Sequence, residues 1–297
     1  MLKLDVEDSG QGEPVVFVHG SWGDLNSWGA LVAELPGYRL IRYSRRGHSG
    51  SECPPGQGLI EDDVSDLAAI VETVGAAHLV GNSLGAEIAL RLAIARPELV
   101  RSLALHEPGF WSLAPDDPAV REIQNGLEPA TELLEAGAVE EGAREFAAWV
   151  FGPGAWEEAV PDELKRVMLA NALTFLDEER ALDNGLVDAT RLHDVIVPIL
   201  LTTGEDSHPA FGVITQRLAA GLPYTEQKTI ADAGHVPHRS HPQEYAALLL
   251  SFWPAASTST RAGSAPAAAS PSRNAGSSRS TSSGGSAGPG GSAGFAG

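Results

Sequence analysis

Residues 79–90 read LVGNSLGAEIAL, with Ser83 flanked at two positions on either side by Gly81 and Gly85. The preceding run, AHLVGN, has the length and apolar character of a buried strand. The following LGAEIALRLAIARP has that of a helix stopped at Pro97. If the chain reverses between them in one tight turn, the serine takes strained backbone angles and its hydroxyl stands clear of the sheet. Residues two before and two after must then be small, because side chains there would collide. The backbone N–H of Leu84, at the helix N-terminus, points where a developing oxyanion would sit. The stretch therefore predicts a strand, a turn presenting a nucleophile, and a helix.

Working outward, PVVFVHG (14–20), YRLIRYS (38–44), RSLALHE (101–107) and VPILLTTG (197–204) are further short apolar strands. EQKTI reads as the last one. Helical patterns over 25–35, 61–74 and 84–97 lie between them. Strands that are apolar throughout and alternate with helices predict an α/β fold, a mostly parallel sheet flanked by helices. Residues 110–190 break the rhythm, with stretches such as VEEGAREFAAWVF and DELKRVMLANALTFL and no convincing strand. They predict an all-helical cap inserted between two strands. The expected division is a core of 1–109 and 191–254, a cap of 110–190, and a disordered tail of 255–297, where Ser, Gly, Ala and Pro leave almost nothing to bury.

A length of 297 residues suits one large α/β domain, and 43% hydrophobic residues is a globular composition. The formal charge of −19 repels phosphate backbones and anionic lipid, which argues against nucleic acid and membrane partners. No apolar run approaches a membrane span, and the N-terminal MLKLDVEDSG lacks the pattern of a secretory signal. Cys53 stands alone, so no intramolecular disulfide forms, and a reducing cytoplasm is the expected location. The expected partner is a small-molecule substrate.

A serine hydroxyl needs a base, and the base an orienting acid. His235, in ADAGHVPH on the loop after the last strand, is the candidate base. The spacing of His235, His238 and His241 invites a metal reading, but Pro237 and Pro242 interrupt any helix that would align them, so no metal is expected. For the acid, Asp206 follows a strand that lies between the serine and the histidine in sequence. Glu205 is its neighbour, and Glu107, at the end of an earlier strand, is the topological rival. The loop HGSWGD (19–24) offers the Ser21 N–H as second oxyanion donor, with the Trp22 N–H as substitute. Trp22, Trp111 and Trp149 are candidates for the substrate pocket, although aromatic residues in such a helical segment equally serve its own core.

These motifs together resemble the α/β-hydrolase superfamily over residues 1–254. The matching stretches are HGSW after one strand, RRGHSGS (45–51) after the next, GNSLG, and GED followed by AGH. The resemblance implies the α/β-hydrolase fold, a Ser–Asp–His triad of Ser83, Asp206 and His235, a helical cap, and no cofactor. One departure is Ser44, where many relatives carry Asp. Relatives that attack with Asp, the dehalogenases and epoxide hydrolases, are disfavoured by Ser83. The expected activity is a serine hydrolase acting on a small carboxylic ester or related acyl compound. The same residues also suit cleavage of a carbon–carbon bond, perhydrolysis, or a non-catalytic receptor on the same scaffold.

Overall fold

The computed structural model describes residues 2–262, with side chains as far as 253. Its strands are β1 (Val6–Gly10), β2 (Glu13–Val18), β3 (Tyr38–Tyr43), β4 (Ala77–Asn82), β5 (Val100–His106), β6 (Ile199–Gly204) and β7 (Thr225–Ile230). They form one sheet in the order β1-β3-β2-β4-β5-β6-β7. Only β1 runs antiparallel, against β3; every other pairing is parallel. The helices are α1 (Gly29–Val32), α2 (Ile60–Val74), α3 (Leu84–Ala95), α4 (Pro118–Glu135), α5 (Val139–Phe151), α6 (Ala155–Glu158), α7 (Asp162–Arg180), α8 (Pro209–Gly221), α9 (Pro237–Ser240) and α10 (Pro242–Ala262).

Alternation along β2 shows how the layers form. Val16 and Val18 pack with residues of α2, α3 and α8 on one face, while Val15 and Phe17 pack with residues of α1 and α10 on the other. A parallel strand covered on both faces needs apolar residues at every position, which explains the unbroken PVVFV. Between β5 and β6 the described chain forms helices joined by turns and no strand, from the turn at Trp111–Leu113 through α4 to α7 and a 3-10 turn at Ala189–Asp194. This insertion has its own apolar cluster, including Met168, Phe175 and Ala147, into which Trp22 of the core projects.

Three local expectations differ from the structure. β1 is an additional strand, which VEDSG does not announce because all five residues are exposed. Its place at the sheet edge comes from backbone pairing with β3, reinforced by Arg39 and Asp8 at 2.6 Å. The helix expected over 25–35 breaks into a 3-10 turn, Leu25–Trp28, and the single turn α1. Asp24 and Ser27 form a reciprocal capping box that winds the first turn tightly. Helix α10 continues to Ala262, past the expected end of order near 254. The rest of the tail, 263–297, lies outside the described residues.

Buried polar groups fasten the insertion to the core. Arg45, 1% exposed, donates to Asp63 of α2 at 3.2 Å and to Glu178 of α7. Asn171 of α7, fully buried, accepts from Ser49 N–H at 2.8 Å and donates to Gly23 O at 2.7 Å. Two glycines give the packing a test. A Cβ on Gly85 would press into Val18 O and lie 2.6 Å from His19 O, whereas one on Gly212 of α8 would meet nothing within 4 Å. Gly85→Ala should destabilise by at least about 2 kcal/mol through forced backbone movement. Gly212→Ala should stabilise by about 0.5–1 kcal/mol through lost chain entropy. Urea denaturation of both variants checks this, and equal shifts of one sign would contradict it.

Candidate active site

Ser83 joins β4 to α3 with φ 55° and ψ −126°. This left-handed conformation is costly for serine, and it is stabilised from both sides. Ser83 N–H donates to His106 O at 2.9 Å, and Ser83 O accepts from Ala86 and Glu87 N–H as the helix begins. The flanking glycines leave no room for side chains. A Cβ on Gly81 would lie 2.5 Å from Gly85 O and 2.6 Å from Ala86 Cα. The Leu84 and Ser21 N–H groups donate to no backbone carbonyl among the described residues, and both residues line the same cavity as Ser83.

The loop after β2 is held by His19. Its Nδ1–H donates to Gly20 O at 2.8 Å while Nε2 accepts from Arg45 N–H at 2.9 Å, a pattern that requires the neutral ring. Burial, then the Arg45 charge, keep its pKa well below the usual value. Trp22, with φ 65°, stacks on Phe146 at 4.8 Å between ring centroids and packs against Phe175.

His235 is positioned from three directions. Its carbonyl accepts from Asn82 Nδ2 at 3.0 Å, its ring stacks on Phe211 of α8 at 4.4 Å, and its Nδ1 lies 2.6 Å from Glu107 Oε2. The expectation that Asp206 meets this imidazole is overturned. Asp206 is exposed and borders the cavity, and its N–H is tied to Ala233 O at 2.9 Å, which fixes the loop. Glu107, fully buried at the end of β5 with φ 49°, reaches the histidine from beneath instead. Its second oxygen accepts from Gly204 N–H at 2.7 Å, so both carboxylate oxygens have donors.

Burial opposes ionisation of Glu107, but His106 and His235 outweigh it and hold the carboxyl well below its usual range. Burial pushes His106 down to about 4, so that ring is neutral at pH 7. His106, Glu107 and His235 also bring ligand-type atoms within 4.8 Å, the set among the described residues that could hold an ion. In this structure the carboxylate is engaged by an imidazole and a backbone N–H rather than open to a shared centre.

A cavity of about 400 Å³ opens over Ser83 and His235. Trp111, Phe146, Trp149 and Phe175 contribute apolar wall. Trp22 instead borders an adjoining space of about 80 Å³ that also touches Ser83. Among the other aromatic residues of the insertion, Phe110 and Trp156 are buried in apolar clusters, and Phe151, 38% exposed, borders the smaller space.

The chain matches the Alpha/beta hydrolase family across residues 15–248. It belongs to that family. It is 26% identical over 275 residues to a putative 2-succinyl-6-hydroxy-2,4-cyclohexadiene-1-carboxylate synthase of Bacillus subtilis, covering 84% of this chain and 94% of the relative. It is 26% identical over 271 residues to a 2-hydroxy-6-oxononadienedioate/2-hydroxy-6-oxononatrienedioate hydrolase of Paraburkholderia phymatum, covering 84% and 91%. Among solved structures, an alpha/beta hydrolase from Sphaerobacter thermophilus shares 28% identity at a TM-score of 0.68, covering 84% of this chain and 96% of that one. A thermophilic esterase from Thermogutta terrifontis has the same fold, with 23% identity and a TM-score of 0.69 over 86% and 94%. These relatives are enzymes, and no described helix is long and apolar enough to cross a membrane.

Sequence reasoning passed over Glu87, one helical turn beyond Ser83, although an acid in the apolar run of α3 was visible as an anomaly. Glu87 is 2% exposed, and burial pushes its carboxyl up to about 8, with Arg91 offsetting only part. The folded chain keeps this proton above the pH at which an unfolded carboxyl releases it, so stability falls as pH rises from about 4.5 to about 8. Glu87→Gln should remove that fall and gain stability over the native protein at pH 8 but not at pH 4.5. Urea midpoints across the range measure it, and parallel curves for the two proteins would refute the burial account.

Proposed function

We propose that this enzyme is a serine hydrolase that cleaves a small carboxylic ester or related acyl compound through a covalent acyl-enzyme. The observation that carries the reading is the 2.6 Å contact between His235 Nδ1 and Glu107 Oε2, beside Ser83 on a shared cavity. An imidazole fixed at Nδ1 by a carboxylate presents Nε2 as a base, which a serine on a strained elbow requires. Ser83 Oγ attacks the substrate carbonyl carbon as His235 takes the hydroxyl proton. The Ser21 and Leu84 N–H groups receive the oxyanion in a site formed before substrate arrives. As the tetrahedral intermediate collapses, His235 returns the proton to the departing alcohol. Water, deprotonated by the same imidazole, then releases the acid from Ser83. Glu107 stays ionised throughout, holding the Nδ1–H tautomer and stabilising the imidazolium.

An apolar wall built largely from aromatic residues favours a substrate with a hydrophobic portion. A dicarboxylate, such as the name of the Paraburkholderia relative describes, finds no lysine or arginine among the cavity's lining residues.

Turnover of 4-nitrophenyl butyrate tests the reading. Ser83→Ala should abolish it, and a fluorophosphonate should label Ser83 alone; labelling elsewhere, or activity within tenfold of the native enzyme, would defeat the assignment.

Glu107→Gln should lower kcat by about 10⁴-fold, the reference loss for an uncharged orienting residue. A glutamine oxygen can accept from either Gly204 N–H or His235 Nδ1–H, but not both, and its amide then drives the imidazole to the wrong tautomer. Asp206→Asn should cost only a few-fold. The reverse ranking, with circular dichroism showing both variants folded, would return the acid role to Asp206.

A further inference from the structure

The cavity holds ionisable groups that ester cleavage does not use. Besides His235, its described lining residues include the acidic side chains Glu87, Glu179 and Asp206 and the imidazole His208, with no lysine or arginine. Glu87 is almost completely buried, yet its Oε2 has no hydrogen-bond partner. Its Oε1 lies against Gly109. The Arg91 guanidinium is 4.0 Å from Oε2, beyond hydrogen-bond reach, and is engaged by Asp183, donating to its carboxylate at 3.0 Å and to its carbonyl. Glu179, at the end of α7, faces the same cavity and is reachable by solvent.

A carboxylate removed from water without full pairing is costly, and its environment favours whichever partner restores that pairing. A positively charged donor between Glu87 and Glu179 would pair the open Glu87 oxygen and allow that carboxyl to ionise. An ammonium group supplies charge and N–H donors together, the strong form of hydrogen bond. An anionic substrate would meet three acidic side chains and no lysine or arginine among the lining residues, the Arg91 guanidinium lying between Glu87 and Asp183.

We propose that Glu87 and Glu179 form a cation subsite in the substrate cavity, and that the preferred substrates are acyl compounds bearing an ammonium group. The substrate class rests on the hydrolase reading above, whereas the subsite itself can be tested without turnover. Calorimetry with three matched six-carbon probes, hexylammonium, hexanol and hexanoate, reads the subsite directly. Hexylammonium should bind at least about tenfold more tightly than hexanol, and hexanoate should bind most weakly. The preference should shrink toward unity in Glu87→Gln and fall in Glu179→Gln, a more exposed position that keeps the test open if the first variant folds poorly.

Hydrolysis of methyl 6-aminohexanoate, methyl hexanoate and monomethyl adipate then reads the substrate class. The kcat/KM ratio of the amino ester to the neutral ester should be about ten or more, and it should collapse in Glu87→Gln. Ammonium binding that depends on Glu87, without turnover of any ester, would sustain the subsite and defeat the hydrolase reading. Ester turnover with a ratio at or below one, or hexylammonium binding no tighter than hexanol, would overturn the inference.

Discussion

The first turn of α3 rests on the carbonyls that end β2, close enough that only a hydrogen fits on the Gly85 Cα facing Val18 and His19. That approach brings two otherwise separate features together. One is the elbow at Ser83, whose Cβ lies so near Gly20 that a Cβ there would sit 2.9 Å away. The other is the loop after β2, whose Ser21 N–H borders the same cavity as the Leu84 N–H. The Ser83 side chain and the Ser21 and Leu84 N–H groups thus converge on one cavity because backbone meets backbone. Side-chain packing is too deformable to hold such a constellation at hydrogen-bond tolerance, whereas backbone in contact with backbone cannot yield without moving a strand.

Strain accumulates around this contact. Trp22, Ser83 and Glu107 all have positive φ without being glycine, at 65°, 55° and 49°. Each such residue costs on the order of 1–3 kcal/mol and persists only where its surroundings over-determine it. For Ser83 the determinants are hydrogen bonds from two elements, and for Trp22 they are the rings of Phe146 and Phe175. Glu107 is anchored through its N–H to Thr202 O at 3.2 Å and through both carboxylate oxygens. The three strained residues lie at the ends of β4 and β5 and in the loop after β2, where parallel strands deliver loops to one edge of the sheet.

Legibility in the sequence followed the range over which each feature is determined. The G-x-S-x-G turn is a local device, so its residues identified strand, turn and helix without reference to the rest of the chain. Parallel strands buried on both faces were legible because they are apolar at every position, and β1 was not because edge pairing through backbone asks nothing of its side chains. The acid was the difficult case. Chain order allows a carboxylate after either β5 or β6, and a GED turn announces itself more strongly than the glutamate of LALHEP. What separates them in the structure is depth. Glu107 turns inward under Gly204 and His235, while the hydrogen bond from Asp206 N–H to Ala233 O leaves that side chain at the cavity. Neither depth nor that loop bond is written in local sequence.

The helical insertion is part of the site's construction as well as its roof. Asn171 grips Gly23 O, two residues beyond Ser21, and Ser49 N–H, while Arg45 gathers His19 O at 3.0 Å, Asp63 and Glu178. The loop carrying the Ser21 N–H is therefore fixed from below by His19 and Arg45 of the core and from above by α7. Because these groups are buried, releasing α7 would break the bonds of Asn171 to Gly23 O and Ser49 N–H and the Glu178–Arg45 pair together, leaving Arg45 only its core partners Asp63 and His19 O. The insertion and the donor loop consequently form one cooperative unit. Covering the cavity and fixing the loop that carries the Ser21 N–H are the same structural event.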